Sequence, residues 1–285
     1  MLKGIDVSDN QGVINWSKVK NAGVQFAILR SVRRSGAADK QLANNIKGCL
    51  ENGIPFDFYK YAYATTEADS EREAREVVNE LKKLGIVPSK DIIIWHDVED
   101  NIQTALSTSK LTRICISFKK VIENAGYTYG LYMGKYDFEK GEVDVSQLGD
   151  IKVWIARYYD GYTLKSFSEK PNEKYKPNVK NLWGWQYTSS GRVDGIVGNV
   201  DLNIAYYNVG SVQKPKKESE FKMPTIQKGS KGKAVKVWQI IVGVEADGIF
   251  GAKTKTATIE FQRKYKLAQD GIVGKNTWAV GLETL

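Results

Sequence analysis

Over the first two thirds of the chain, short apolar runs alternate with longer stretches of helical period. GIDVS (4–8), QFAILRS (25–31), FDFYKYAY (56–63), DIIIWHD (91–97), YTYGLYM (127–133), IKVWIA (151–156), NLWGWQY (181–187) and a short segment around Asp201 read as strands. The clearest predicted helix runs from about Glu67 to Leu84, with Thr65 or Thr66 as N-cap, acids in its first turn, Gly85 at the C-cap and Pro88 beyond. In LTRICISFKKVIENAG, the residues Leu111, Ile114, Cys115, Phe118, Val121 and Ile122 recur at helical spacing, so Cys115 reads as a buried core thiol. Cys49 is placed similarly, on a helix between Asn44 and Asn52. Eight strands interleaved with helices predict a parallel α/β fold closed into a barrel.

After Gly210 the pattern changes. Residues 210–223 are rich in lysine and poor in aliphatic side chains, and read as a linker between a barrel over 1–209 and a small module over 224–285. The module echoes itself: DGIFGAKT (247–254) and DGIVGKNT (270–277) stand 23 residues apart. Each joins an Asp-Gly turn to a glycine and a threonine placed to open a helix. With KAVKVWQIIV (233–242) before them, the prediction is a small all-α domain of three helices.

Charge follows the same division. Lys and Arg number 28 against 26 acids over 1–209, but 14 against 7 over 210–285, so most of the net charge of +9 lies in the linker and module. That excess can attract a polyanion. The chain shows no RNP, zinc-finger or helix-turn-helix signature, so no nucleic-acid partner is expected; a cell-wall polymer bearing phosphate or carboxylate suits the charge equally well, and a merely solvated basic surface is the plain alternative. No apolar run approaches the roughly 20 residues of a membrane span, so no membrane partner is expected. The first residues, MLKGIDVSDN, carry Asp6 and Asp9 where an export segment would be apolar, which predicts a product made in the cytoplasm that needs another release route to act outside.

The single histidine, His96, and the two separated cysteines do not supply the ligand sets of zinc hydrolases, nor the histidine-activated serine or cysteine of other hydrolases. No metal or cofactor is expected, and hydrolytic chemistry would fall to carboxylates. IIIWHDVED (92–100) offers them at the end of an apolar run. On an extended strand Asp97 and Glu99 share one face, about 6.6 Å apart at about 3.3 Å per residue, with His96, Val98 and Asp100 on the other. Two carboxyls in one pocket push one proton affinity up, leaving an acid beside an anion, as glycosidic cleavage requires. Alone, the D-x-E pattern is equally compatible with metal binding or a plain loop. Asp6 in GIDVS and Asp201 in VDLN are further strand-end acids, or N-caps. Tyr59, Tyr61, Tyr63, Tyr132, Trp154, Tyr158, Tyr159, Trp183, Trp185 and Tyr187 gather near strand ends, as platforms for sugar rings or as core.

Four ordered motifs, GIDVSDNQGVINW, WHDVED, VWIARY (153–158) and WGWQYTSSGRVDGIVGNVDLN (183–203), resemble family 25 glycoside hydrolases, the Chalaropsis-type lysozymes, over roughly 3–205. The tail, with GSKGKAVKVWQ and the two DGI repeats, resembles the three-helix peptidoglycan-binding domain. The combination looks like a bacteriophage endolysin acting on Gram-positive walls and released by a holin-type route. The resemblance implies a flattened, irregular β/α barrel that cleaves the β-1,4 bond from N-acetylmuramic acid to N-acetylglucosamine in peptidoglycan glycan strands, and a C-terminal domain that binds the wall. It implies Glu99 as general acid/base, Asp97 as the group that orients and stabilises, and Asp6 and Asp201 completing an acidic floor. Tyr61, Trp154, and Gln186 or Tyr187 would line the cleft. Retention, by substrate assistance, is the expected outcome. Three sites depart from the family pattern: His96 before the D-x-E, the pair Asp9-Asn10 after DVS, and Trp238 in the module where leucine is usual. A non-catalytic wall-binding protein on a lysozyme scaffold, a chitinase-like hexosaminidase and a bacterial autolysin are the alternatives.

Overall fold

The computed structural model describes residues 1–161, 163–210 and 223–284, in two compact units, Met1–Pro215 and Lys216–Leu285. Nearly all of the linker expected over 210–223 lies outside the described residues.

In the first unit the apolar runs become strands β1 (Leu2–Val7), β2 (Phe26–Arg30), β3 (Phe56–Tyr61), β4 (Ile93–Asp97), β5 (Thr128–Gly134), β6 (Lys152–Ala156), β7 (Lys165–Ser166), β8 (Leu182–Arg192) and β9 (Val200–Ala205). The helices are α1 (Trp16–Asn21), α2 (Leu42–Asn52), α3 (Glu67–Lys83), α4 (Asn101–Thr104), α5 (Thr108–Asn124) and α6 (Lys135–Lys140). Strands β1 to β6 pair in parallel with their neighbours, and β6 pairs in parallel with β8. Strand β9 then closes the ring, antiparallel to both β8 and β1. The expected barrel of eight strands is present, but not all of it is parallel. The segment from Arg192 to Val200 is too short for the crossover of a dozen or more residues that a parallel return needs, so the chain turns back as a hairpin. Two-residue β7 is an addition on the edge of β8.

Alternation along the strands separates two apolar layers. Phe26, Ile28, Ile93, Trp95, Tyr132, Trp154, Trp183 and Ala205 fill the barrel interior. Ile5, Val7, Leu29, Phe56, Phe58, Ile94, Leu131, Ile155, Trp185 and Leu202 join a larger outer core with side chains of the surrounding helices. Helix α3 begins as its sequence demands: Thr66 Oγ1 accepts the Asp69 N–H at 3.1 Å, and Gly85 follows the last turn at φ 73°. Cys49 and Cys115 are both buried and unpaired by disulfide.

The second unit holds α7 (Lys233–Ile241), α8 (Ala252–Lys264) and α9 (Lys275–Leu282). Its sequence echo is a structural one. Gln239 Nε2 lies 2.7 Å from Asp247 Oδ1 and 3.0 Å from the Ile249 carbonyl, while its Oε1 accepts the Gly248 N–H at 2.8 Å. Gln262 repeats this 23 residues on, with Asp270, Ile272 and Gly271 at 2.9 Å each. Each glutamine ties a helix to the next Asp-Gly turn, satisfying polar groups that a core of this size could not otherwise bury. Trp238 is fully buried against Phe261 and Trp278, with Nε1 donating to Thr258 Oγ1 at 2.9 Å. Among the described residues of the chain, no helix is long and apolar enough to cross a membrane.

Candidate active site

The inward-facing positions at the C-terminal ends of the parallel strands carry the polar residues. Asp6 stands on β1 and Asp97 ends β4. Asp201 is the register partner of Asp6. It lies near the start of its strand, and because β9 runs backwards, that start shares the mouth with the ends of the others. The acids at the three strand sites are thus brought together, with Asp6 and Asp97 buried and Asp201 half-buried.

Glu99 lies two residues past the end of β4. Val98 keeps its N–H on the Tyr132 carbonyl at 3.0 Å and its side chain in the outer core, and the chain then leaves the sheet. Glu99 is exposed. Asp100 Oδ1 accepts the Ile102 N–H at 3.0 Å and caps α4, and its Oδ2 lies 3.4 Å from the Tyr61 hydroxyl.

A hydrogen-bonded floor supports the acids. Gln186 Nε2 and Asn203 Nδ2 both donate to Asp6 Oδ2, at 2.9 and 2.7 Å. The Tyr132 and Tyr158 hydroxyls donate to Gln186 Oε1, at 2.8 and 2.5 Å. Trp154 Nε1 donates to Asn203 Oδ1 at 2.9 Å. Trp154 therefore sits one layer below, packed on Tyr132 with ring centroids 4.4 Å apart. It shapes the floor instead of facing a ligand.

Tyr187 does not join the group. It lies on the outer face with Trp185, buried, its ring centroid 5.8 Å away. The cause is a register shift where β6 meets β8, between the Val153–Leu182 and Trp154–Gly184 pairs. It breaks alternation, so that Trp183 faces inward while Trp185 and Tyr187 face outward. Tyr61 is half-buried at the rim, its ring 4.9 Å from that of Tyr63. Asn203 is a site residue that sequence reasoning missed. Its signal was spacing: in VDLN it stands two residues after Asp201, on the same face. Asp9 is held by Arg30, which also donates from Nε to Asp39 Oδ2 at 2.8 Å.

Crowding acids in a place poor in water raises their hold on protons. Burial pushes the Asp6 carboxyl up to about 6, against the opposing hydrogen bonds from Gln186 and Asn203. Loss of water on its walled sides pushes Glu99 up to about 7; the Tyr132 hydroxyl opposes this, and the charges of Asp6, Asp100 and Asp137 add to it. Burial, then the charges of Glu99 and Asp6, hold Asp97 well above the usual carboxylate range, opposed by Lys60. Asp201 is raised by burial and by Asp6 and Glu99. These four titrate as a set, so their protons belong to the cluster more than to any one member. Asp97 Oδ1 is buried without a hydrogen-bond partner. Among the described residues no group of three or more His, Cys, Asp or Glu side chains could hold a metal ion.

His96 lies outside this chemistry. Its ring stacks on Phe118 at 4.0 Å and 7°, Nδ1 is 3.2 Å from the Tyr129 hydroxyl, and burial lowers its proton affinity to about 3.

Comparison with known proteins gives the same division of the chain. The sequence profile of glycosyl hydrolases family 25 matches residues 5–196, and that of a putative peptidoglycan binding domain matches residues 235–280. An autolytic lysozyme of Clostridium acetobutylicum is 27% identical over 283 residues, 97% of this chain and 77% of its own. Lysozyme M1 of Streptomyces globisporus is 38% identical over 220 residues, 71% of this chain and 67% of its own. Among solved structures, the catalytic domain of endolysin ply40 from bacteriophage P40 of Listeria monocytogenes aligns with a TM-score of 0.55 and 26% identity, covering 72% of this chain and 93% of that one.

Proposed function

The chain belongs to glycosyl hydrolases family 25 and carries a peptidoglycan-binding domain, and from that premise we propose that it is an endolysin-type muramidase of Gram-positive walls that works with retention of configuration. The observation that carries the reading is the convergence of Asp6, Asp97, Glu99 and Asp201 at one barrel mouth, with the outermost of them, Glu99, open to solvent and pushed up to about 7.

Cleavage of a glycosidic bond needs a proton for the leaving oxygen and a negative charge near the positive centre that forms. Glu99 supplies the proton at the mouth, then takes one from the water that completes the reaction. Asp97 is walled in beneath it, with Oδ1 lacking a partner. A carboxyl set this deep is suited to orient the 2-acetamido group of the sugar as that group's oxygen attacks the anomeric carbon, more than to reach that carbon itself. This favours substrate assistance over direct attack by Asp97. Gln186, Asn203, Tyr132 and Tyr158 fix the orientation of Asp6 and spread its charge into the floor.

The endolysin assignment is supported by the likeness to a phage enzyme's catalytic domain. A second reading, a bacterial autolysin, is favoured by the relative matched along nearly the whole chain, itself an autolytic lysozyme. Whether the gene lies among phage lysis genes separates the two.

The activity is tested by adding the protein and its Glu99→Gln variant to purified Gram-positive walls and assaying new reducing ends. The expected outcome is N-acetylmuramic acid at the new ends and a variant slower by about a hundredfold or more, the scale of a lost general acid. Wall binding without reducing ends from either protein would move the reading to a non-catalytic wall-binding protein.

A further inference from the structure

Lys60 is fully buried, on a strand whose other outward-facing residues, Phe56 and Phe58, are core. Burying an ammonium group costs several kcal/mol unless it is paired. Its partners are specific. Nζ donates to the Tyr61 carbonyl at 2.7 Å, lies 3.6 Å from Glu73 Oε1 of α3, and stands 5.1 Å from the centre of the Tyr63 ring. Glu73, also buried, accepts the Tyr63 N–H through both carboxylate oxygens, at 3.1 and 3.3 Å. The ion pair thus brackets the segment that carries Tyr61 to the rim of the cleft. The same segment meets β4: Tyr61 is the register partner of Asp97, and the Ala62 N–H donates to the Asp97 carbonyl at 2.9 Å.

We propose that Lys60 and Glu73 are a positioning pair for the reaction, holding the Tyr61–Tyr63 segment in place and tuning Asp97 from the far face of the sheet. The assignment of a catalytic role to Asp97 rests on the glycosidase reading above. The acid cluster needs a counter-charge, and the cations that meet the Tyr59–Tyr63 segment are Arg30, Arg34, which stands over the Tyr63 ring at 4.5 Å, and Lys60. Arg30 is engaged by Asp9 and Asp39. Lys60 is paired with Glu73 of α3, and its register partner across the sheet is His96, the residue before Asp97, so its charge also bears on the Asp97 carboxyl. On the lysine's own face the remaining titratable neighbours are His96 of β4, which burial keeps neutral, and Tyr63. Asp97 is faced on its side by Asp6 of β1, Asp201 of β9, Glu99, Tyr59 and Tyr61 of β3, and Tyr132 of β5.

The arrangement makes the two partners act on Asp97 with opposite sign. Removing the cation in Lys60→Met leaves the Asp97 carboxylate without its supporting charge, so its proton affinity rises. Neutralising the competitor in Glu73→Gln removes the nearer anion while the Tyr61 carbonyl still holds the ammonium, which then acts more fully on Asp97, so the proton affinity of Asp97 falls. The glutamine Oε1 can still accept the Tyr63 N–H.

The direct test is a carboxyl-carbon NMR titration of Asp97 in the full-length protein and both variants, without substrate, followed by the pH dependence of kcat/KM on walls. The expected result is an upward midpoint shift in Lys60→Met and a downward one in Glu73→Gln, each about half a pH unit or more. The limb of the rate profile governed by Asp97 should move with them. Midpoints that stay put, or move the same way in both variants, would overturn the proposal, whatever happens to total activity. If Lys60→Met does not fold, as judged by near-ultraviolet circular dichroism, the downward shift in Glu73→Gln decides alone. Should the wild type release no reducing ends, the glycosidase reading fails, and the NMR titration still tests the charge coupling.

Discussion

A histidine directly beside a D-x-E at a barrel mouth invites a catalytic role, and what decides against it is how little water and how few partners His96 has. It is fully buried, stacked on Phe118, with Nε2 unpartnered and its proton affinity lowered by burial and by Lys60 to about 3 from an ordinary 6.5. The folded protein therefore lacks a proton that the unfolded chain binds below about 6.5. By linkage, the stability that the neutral imidazole allows is complete above that pH and is lost progressively as pH falls toward 3. His96→Phe keeps an aromatic ring against Phe118 and removes the titration. In urea unfolding the variant should lose less stability than wild type between pH 7 and pH 4.5. At pH 7 it should differ by only about 1 kcal/mol, for the lost Tyr129 hydrogen bond. Equal losses over that interval would show that His96 is not the source of acid sensitivity.

At the scale of the element, the packing of one strand on its neighbour explains a glycine and tests the interior layer. A Cβ at Gly130 of β5 would fall 2.4 Å from Trp95 Cε3 and 2.8 Å from Ile93 Cγ2. Trp95 in turn contacts Trp154 and Trp183, so these indoles fill the space beneath the acids as one block. Gly130→Ala should cost about 1–3 kcal/mol by overpacking, read as a lower midpoint for unfolding of the barrel. An unchanged midpoint would show that the indole block can yield. What was legible in the sequence follows the same physics. The runs that became β1 to β6, the capped helix α3 and the buried thiols carry their periodicity in the residues themselves. Asp97 and Glu99 were grouped by assuming strand alternation. They do belong to one mouth, but Glu99 reaches it by leaving the sheet after Val98. Tyr187, the alternative to Gln186, faces outward for the complementary reason: the irregularity at Trp183 reverses the faces downstream, and its one mark in NLWGWQY is Gly184, a residue that inside a strand signals a bulge. The reversal of β9 was hidden in a similar way, because strand direction depends on connection length and pairing, not on the four residues of VDLN. Gln239 and Gln262 escaped notice because their partners lie across a turn, though the 23-residue echo extends to them.

At the scale of the whole molecule, the division of labour follows from size and charge. The barrel buries its own two-layer core and carries all four acids, while the second unit has a separate core around Trp238, Phe261 and Trp278. A unit that small leaves little room for a large catalytic pocket of its own. The lysine excess from 210 onward suits it to an anionic wall. Once such a module is attached to the wall, the barrel joined to it in the same chain meets bonds nearby, and modest affinity becomes a high local concentration of substrate. The benefit exists only where the substrate is an extended polymer that offers both a binding site and a scissile bond. Ending the chain after Gly210 should therefore lower the rate of reducing-end release from whole walls about tenfold or more, while leaving kcat/KM on short soluble muropeptide glycans within about a factor of two of the full-length value, since the barrel's mouth is untouched. Raising salt should weaken the full-length enzyme on walls toward the truncated rate, because screening acts on the exposed lysines more than on the buried acids. Equal loss on polymer and oligomer would mean that residues beyond Gly210 support the barrel itself, and the tethering account would have to be abandoned.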